Sequence, residues 1–115
     1  METTSRADVR TVEAVDGVHL TQLAVGDEAS VQHFRIDPGA AVPEHDHPHE
    51  QVGYLVRGTL TFVIDGEETV VAAGDSYAIP GEERHAVENG GDEPAEGIDV
   101  FSPPRADPDW LSAED

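Results

Sequence analysis

Three histidines dominate the chemistry this chain could do. His45 and His47 stand at i and i+2 in the run Glu44-His45-Asp46-His47-Pro48-His49-Glu50-Gln51, and His85 follows thirty-eight residues after His47. Imidazole is the commonest protein ligand for transition metals. In extended backbone, residues i and i+2 project to one side. A strand could therefore present two ligands, and a His from a distant strand could close the site. His49 shares their parity, but Pro48 bends the run, which places His49 at the rim. His33, on the face of Val31 and Arg35, reads as a barrel-lining or surface residue, and His19 as an exposed strand residue.

A second group lies near the C-terminus. In Ile98-Asp99-Val100-Phe101, alternation puts Asp99 and Phe101 on one face. Pro103 and Pro104 then favour a stiff extended segment leading to Arg105. An Arg in a fixed place is suited to gripping a carboxylate. Composition alone favours a surface acid, a core Phe and a solvated Arg.

The elements that must position these groups are strands. Apolar and polar residues alternate, and no segment carries a sustained helical stripe. Strands are predicted over Val9–Val15, Val18–Val25, Val31–Ile36, Gln51–Val56, Leu60–Ile64, Glu68–Ala72, Ser76–Ile79, His85–Val87 and Ile98–Phe101. Asp and Gly turn signals separate them, and Asp65-Gly66 is the clearest hairpin. Many short strands with Gly/Pro turns imply a sandwich or barrel.

At 115 residues the chain is expected to form one domain over 1–115, with a barrel over about 9–102 and an acidic tail over 106–115 that Trp110 and Leu111 could pin. Cys is absent, which excludes thiolate ligands, thiol nucleophiles and disulfides. There are 25 Asp and Glu against 6 basic residues, all Arg, for a formal charge of −19. That balance argues against nucleic acid or an anionic membrane as partner. The carboxylates are scattered among apolar alternations, so a solvating disordered chain is rejected. Acidity together with the loss of Lys points to a halophile source. No signal peptide and no apolar run of membrane-spanning length is read, so a cytoplasmic protein is expected.

Two motifs give a resemblance. Gly39, five residues, His45-Asp46-His47, three residues, Gln51, six residues and Gly58 follow the first cupin motif, and Gly74, five residues, Pro80, then His85 and Asn89 follow the second. The chain thus resembles the cupin superfamily over about 39–89, with fifteen residues between the motifs. The resemblance implies an all-β, antiparallel jelly-roll barrel of six to eight strands. A divalent transition metal (Mn, Fe, Ni, Co or Zn) would be held by His45, His47, Gln51 and His85. Two departures stand out. Glu82 occupies a place where the motif has Gly, and Gln51 replaces the ligating Glu. Glu50 cannot substitute, since it points to the other face. Three His and an amide leave a divalent ion with two residual positive charges, which favours an anionic substrate.

The strings His-Pro-His-Glu-Gln-Val-Gly-Tyr, Gly-Asp-Ser-Tyr-Ala-Ile-Pro and Asp-Val-Phe-Ser-Pro-Pro-Arg are similar to a branch of small cupins that includes pectin-degradation proteins linearising 4,5-unsaturated uronates. Carried over, that resemblance makes Asp99 the acid/base, has Arg105 orient the substrate carboxylate and has Phe101 pack its ring. Gly53, on the inner side of the Gln51 strand with Leu55, would leave room for the ligand. Val52, Tyr54 and Val56 would face outward, where a homodimer could form. The expected partner is a small anionic molecule. An iron-dependent dioxygenase and a non-enzymatic ligand-binding or sensing cupin remain alternatives.

Overall fold

In the computed structural model, which describes residues 1–112, ten strands form two antiparallel sheets. The strands are β1 Thr11–Val15, β2 Val18–Val25, β3 Ser30–Ile36, β4 Ala41–His45, β5 Glu50–Arg57, β6 Thr59–Ile64, β7 Glu67–Ala72, β8 Ser76–Ile79, β9 His85–Glu88 and β10 Ala95–Ser102. One sheet has the order β1-β2-β3-β10-β5-β8 and the other β4-β9-β6-β7. A 3-10 turn covers Arg6–Asp8, and a short helix, α1, covers Asp109–Ser112. The last three residues of the expected acidic tail, 113–115, lie outside the described residues.

The alternation read from sequence becomes the two faces of each sheet. On β10, Ala95, Gly97, Asp99 and Phe101 are buried while Glu96, Ile98 and Val100 are partly exposed. On β5, Gln51 and Leu55 point inward and Val52, Tyr54 and Val56 outward. The core joins both sheets: Phe34, Ile36, Leu55 and Ile79 from one meet Leu60, Phe62, Val71 and Val87 from the other. The Asp65-Gly66 hairpin forms between β6 and β7, with both turn residues at positive φ, the signature of the turn that matches strand twist.

The strand count exceeds the expected six to eight. β4 carries Pro43, which argues against a central strand, but it is an edge strand, where a missing N–H is tolerated. β10 also runs three residues earlier than predicted, from Ala95, because it pairs with β3 on one side and β5 on the other.

Candidate metal centre and cavity

His45 ends β4 and His85 begins β9, and the two are direct cross-strand partners with ring centroids 4.3 Å apart. His47 arrives differently from expected. It lies beyond the end of β4, in the link to β5. The Glu82 N–H holds that link by bonding the His47 carbonyl at 2.7 Å. Gly81 makes the approach possible, since a Cβ there would run into the Pro48 carbonyl. Ligand atoms of His45, His47 and His85 all lie within 4.8 Å of one another.

Each ring is fixed by a backbone carbonyl. His45 Nδ1 bonds Pro43 O at 2.9 Å, His47 Nδ1 bonds His49 O at 3.0 Å, and His85 Nδ1 bonds Glu83 O at 2.8 Å. A carbonyl only accepts, so each Nδ1 carries the proton and each Nε2 presents a lone pair. Glu44 and Asp46, near in sequence, bond Arg84 on the surface instead.

Gln51 supplies the observation that tests a cation. Its Oε1 lies 3.1 Å from His47 Nε2. With the His47 proton on Nδ1, both atoms are acceptors. The amide cannot turn to relieve this without losing its bond to Asp99, a carboxylate that needs the N–H end. Two lone pairs aimed at one point suit a bound cation, so the donor set fits a divalent metal. Burial holds the His47 and His85 pKa values below the ordinary imidazole range, with Arg105 adding to the effect at His47. These imidazoles stay neutral and available as ligands. His49 stands beside the cluster rather than in it, its ring 5.7 Å from that of His47.

Asp99 is buried one strand away. Tyr77 donates to its Oδ1 at 2.6 Å, and burial pushes the carboxyl pKa up to about 6 despite the Tyr77, Gln51 and Arg105 contacts that lower it. Gly53 departs from expectation. It pairs with Tyr77 on one side and Asp99 on the other, and a Cβ there would collide with both side chains. The space it leaves is filled by the Tyr77 phenol and the Asp99 carboxylate, not held open for a ligand. Tyr77 was missed by sequence reasoning, although its parity with inward Ile79 signals its direction.

Phe101 is fully buried. Its ring meets His47 edge-on at 5.5 Å, and the Arg105 guanidinium carbon sits 5.3 Å from its centroid. Arg105 is anchored through its backbone, with its N–H donating to Ser30 Oγ and its carbonyl accepting from Gln22, each at 2.8 Å. Phe101 thus buttresses His47 and the Arg105 guanidinium. His33 sits outside the site, bonded to Glu96 at 2.7 Å, and His19 bonds Asp37 at 3.1 Å.

One cavity of about 170 Å³ collects these groups: His45, His85, Gln51, Asp99, Phe101, Arg105 and Tyr77 line it with Gln32, Trp110 and an apolar wall that includes Leu20, Phe34 and Phe62. A cavity of about 150 Å³ takes one benzene ring. This one has room for a single ring.

Comparison with known proteins agrees with the fold. The Cupin_2 cupin-domain model matches residues 32–101. The pectin degradation protein KdgF of Dickeya dadantii (strain 3937) is 32% identical over 96 residues, covering 83% of this chain and 86% of that protein. The tetracenomycin polyketide synthase protein TcmJ of Streptomyces glaucescens is 33% identical over 86 residues, covering 73% of this chain and 58% of that protein. Among solved structures, KdgF from Halomonas sp. superposes with a TM-score of 0.83 at 24% identity, covering 93% of this chain and 97% of that one. An RmlC-like cupin from Shewanella frigidimarina NCIMB 400 gives 0.82 at 28%, covering 93% and 95%.

Proposed function

The chain belongs to the cupin-domain family, and from its site we propose a metal-dependent enzyme that takes a small, anionic, sugar-acid-like substrate. The carrying observation is that an Asp held near neutral pKa, a half-buried Arg and two of the three clustered His, His45 and His85, line one cavity. The reaction we favour is ring opening and tautomerisation of an unsaturated uronate, or a related isomerisation. The similarity to the Dickeya pectin degradation protein supports that chemistry.

His45, His47, His85 and Gln51 would hold the ion. Bound there, a divalent metal supplies Lewis-acid polarisation of a substrate oxygen. Arg105 pairs with the substrate carboxylate, its guanidinium kept in place by the Phe101 face and by the two backbone bonds. Asp99 moves the proton. A carboxyl with a pKa of about 6 populates both of its forms near neutral pH. It can take a proton from one substrate atom and return it to another, the exchange an isomerisation needs. Tyr77 fixes which way the carboxylate points. The apolar wall excludes water.

The test is incubation with a 4,5-unsaturated uronate, following loss of the ring double bond. Wild-type protein should convert it, whereas His45→Ala should lose both metal and turnover, and Asp99→Asn turnover alone. Conversion at the wild-type rate by Asp99→Asn would overturn the assignment.

The outer face of β5 also fits a second copy of the chain. Val52, Tyr54 and Val56 are exposed, and Val52 and Tyr54 line a shallow groove with Ala78, Ile98 and Val100. No charged residue lines that groove, in a chain of net charge −19. It is a place where two such chains can approach.

A further inference from the structure

Two residues that line the cavity carry buried polar atoms that the chemistry above does not use. Gln32 is 5% exposed and Trp110 8% exposed, and both line the cavity. Gln32 Oε1 and Trp110 Nε1 are each buried with no hydrogen-bond partner among the described residues. Native proteins rarely leave such atoms unpaired, because each forfeits its bonds to water.

Their placement is informative. Gln22, Gln32, Asp99, Gly53 and Tyr77 form one cross-strand row through β2, β3, β10, β5 and β8. At one end, Gln22 spends its amide N–H on the Arg105 carbonyl, and at the other Tyr77 bonds Asp99. Gln32 lies between the strand that anchors Arg105 and the strand that carries Asp99, with its acceptor unspent. Trp110 reaches the cavity from α1, beside Asp109, whose charge acts on Arg105. One atom is an acceptor and the other a donor, and both belong to residues that line the same cavity as Arg105.

We infer that Gln32 and Trp110 form a hydroxyl-recognising subsite that selects a polyhydroxylated ring carrying a carboxylate. A ring hydroxyl donates to Gln32 Oε1, and a second ring oxygen accepts from Trp110 Nε1, while the carboxylate pairs with Arg105. A site built to hydrogen-bond hydroxyls rejects an analogue that lacks them, because its own polar atoms are then left unpaired. The inference rests on the sugar-acid reading of the cavity and adds what distinguishes a sugar acid from any other ring acid.

Trp110 is the chain's single tryptophan, so its emission reports on this subsite. The probes are D-galacturonate, which has no 4,5 double bond, and cyclohexanecarboxylate, which has the ring and charge but no hydroxyls. Galacturonate should bind the 115-residue chain and shift Trp110 emission. Gln32→Met should weaken galacturonate about tenfold or more and leave cyclohexanecarboxylate unchanged. Trp110→Phe, followed by calorimetry, should show the same selective loss. Losses that fall equally on both ligands, or no loss in either variant, overturn the subsite while leaving the sugar-acid reading intact. Failure of both probes to bind the unmodified chain overturns that reading, and the subsite with it.

Discussion

Tyr77 donates its phenolic proton to Asp99 at 2.6 Å across the bare backbone of Gly53. The bond opposes the burial that raises the Asp99 pKa from 3.8 to about 6. A base must be ionised to act, so kcat/KM should fall as pH drops through about 6. In Tyr77→Phe the bond is lost and the carboxyl rises further, so the acid limb should move to higher pH with metal content unchanged. A limb that stays in place, read from kcat/KM profiles, removes Tyr77 from the control of Asp99.

The same group predicts a stability effect. Its folded pKa lies above its unfolded one, so its favourable contribution is complete below about 4 and lost as pH rises through about 6. Above that, the buried charge costs of order 3 kcal/mol. Asp99→Asn keeps an acceptor for Tyr77 and removes the charge. Metal-free Asp99→Asn should therefore be more stable than metal-free wild type at pH 8, and the gap should close toward pH 4. Denaturant melts at the two pH values check it, and a gap that does not depend on pH counts against it.

Gln51 faces His47 with its oxygen and Asp99 with its amide N–H. A Glu here would satisfy the general family motif but would set a second carboxylate against Asp99. Gln51→Glu should retain metal at least as well, since the ligand gains charge. Turnover should nevertheless fall, and the acid limb should move up through like-charge repulsion. Elemental analysis with a pH profile separates the two effects. Undiminished turnover would show that the amide is not required.

These residues show how far the sequence reaches. Spacing identified His45, His47, His85 and Gln51, because the motif records which strands converge. Strand parity placed Asp99, Phe101, Val52 and Tyr54 on their faces. Parity cannot say what fills the space beside a small residue, so Gly53 was expected to serve a ligand when it serves Tyr77. Nor does it register a His outside a strand: His47 is aimed by the Glu82 and His49 backbone, contacts that exist only after folding. Gln32 and Trp110 carry no motif, and their place in the cavity depends on strand order and on where α1 packs.

The exposed apolar face of β5 should mediate a homodimer. Tyr54→Glu, directed outward and half exposed, should convert a dimeric mass to a monomeric one in light scattering and leave metal content intact. A monomeric wild type at micromolar concentration would remove this interface.

Glu82 takes the left-handed conformation at φ 70 where the family motif places Gly. A side chain in that region costs about 1–2 kcal/mol. The position is exposed, so little packing offsets it. Glu82→Gly should raise stability by about 1 kcal/mol and Tm by about 4 °C. The N–H that bonds the His47 carbonyl survives the change, so metal affinity should hold. Lower stability in Glu82→Gly, by melting, would mean the Glu side chain contributes a bond that outweighs the strain.

The charge of −19 makes the folded chain repel itself, since folding brings like-charged carboxylates closer together. Raising salt from about 0.1 M to about 1 M shortens the screening length from about 10 Å to about 3 Å. Tm should climb with chloride salts over that range. Sulfate strengthens apolar burial as well, so the comparison belongs in potassium chloride. Replacing exposed acids on β7, such as Glu67 and Glu68, with Gln should flatten the salt dependence while raising Tm at low salt. A melt that does not respond to potassium chloride would show that the acids are too well hydrated to repel, and that their number serves solubility rather than adaptation to salt.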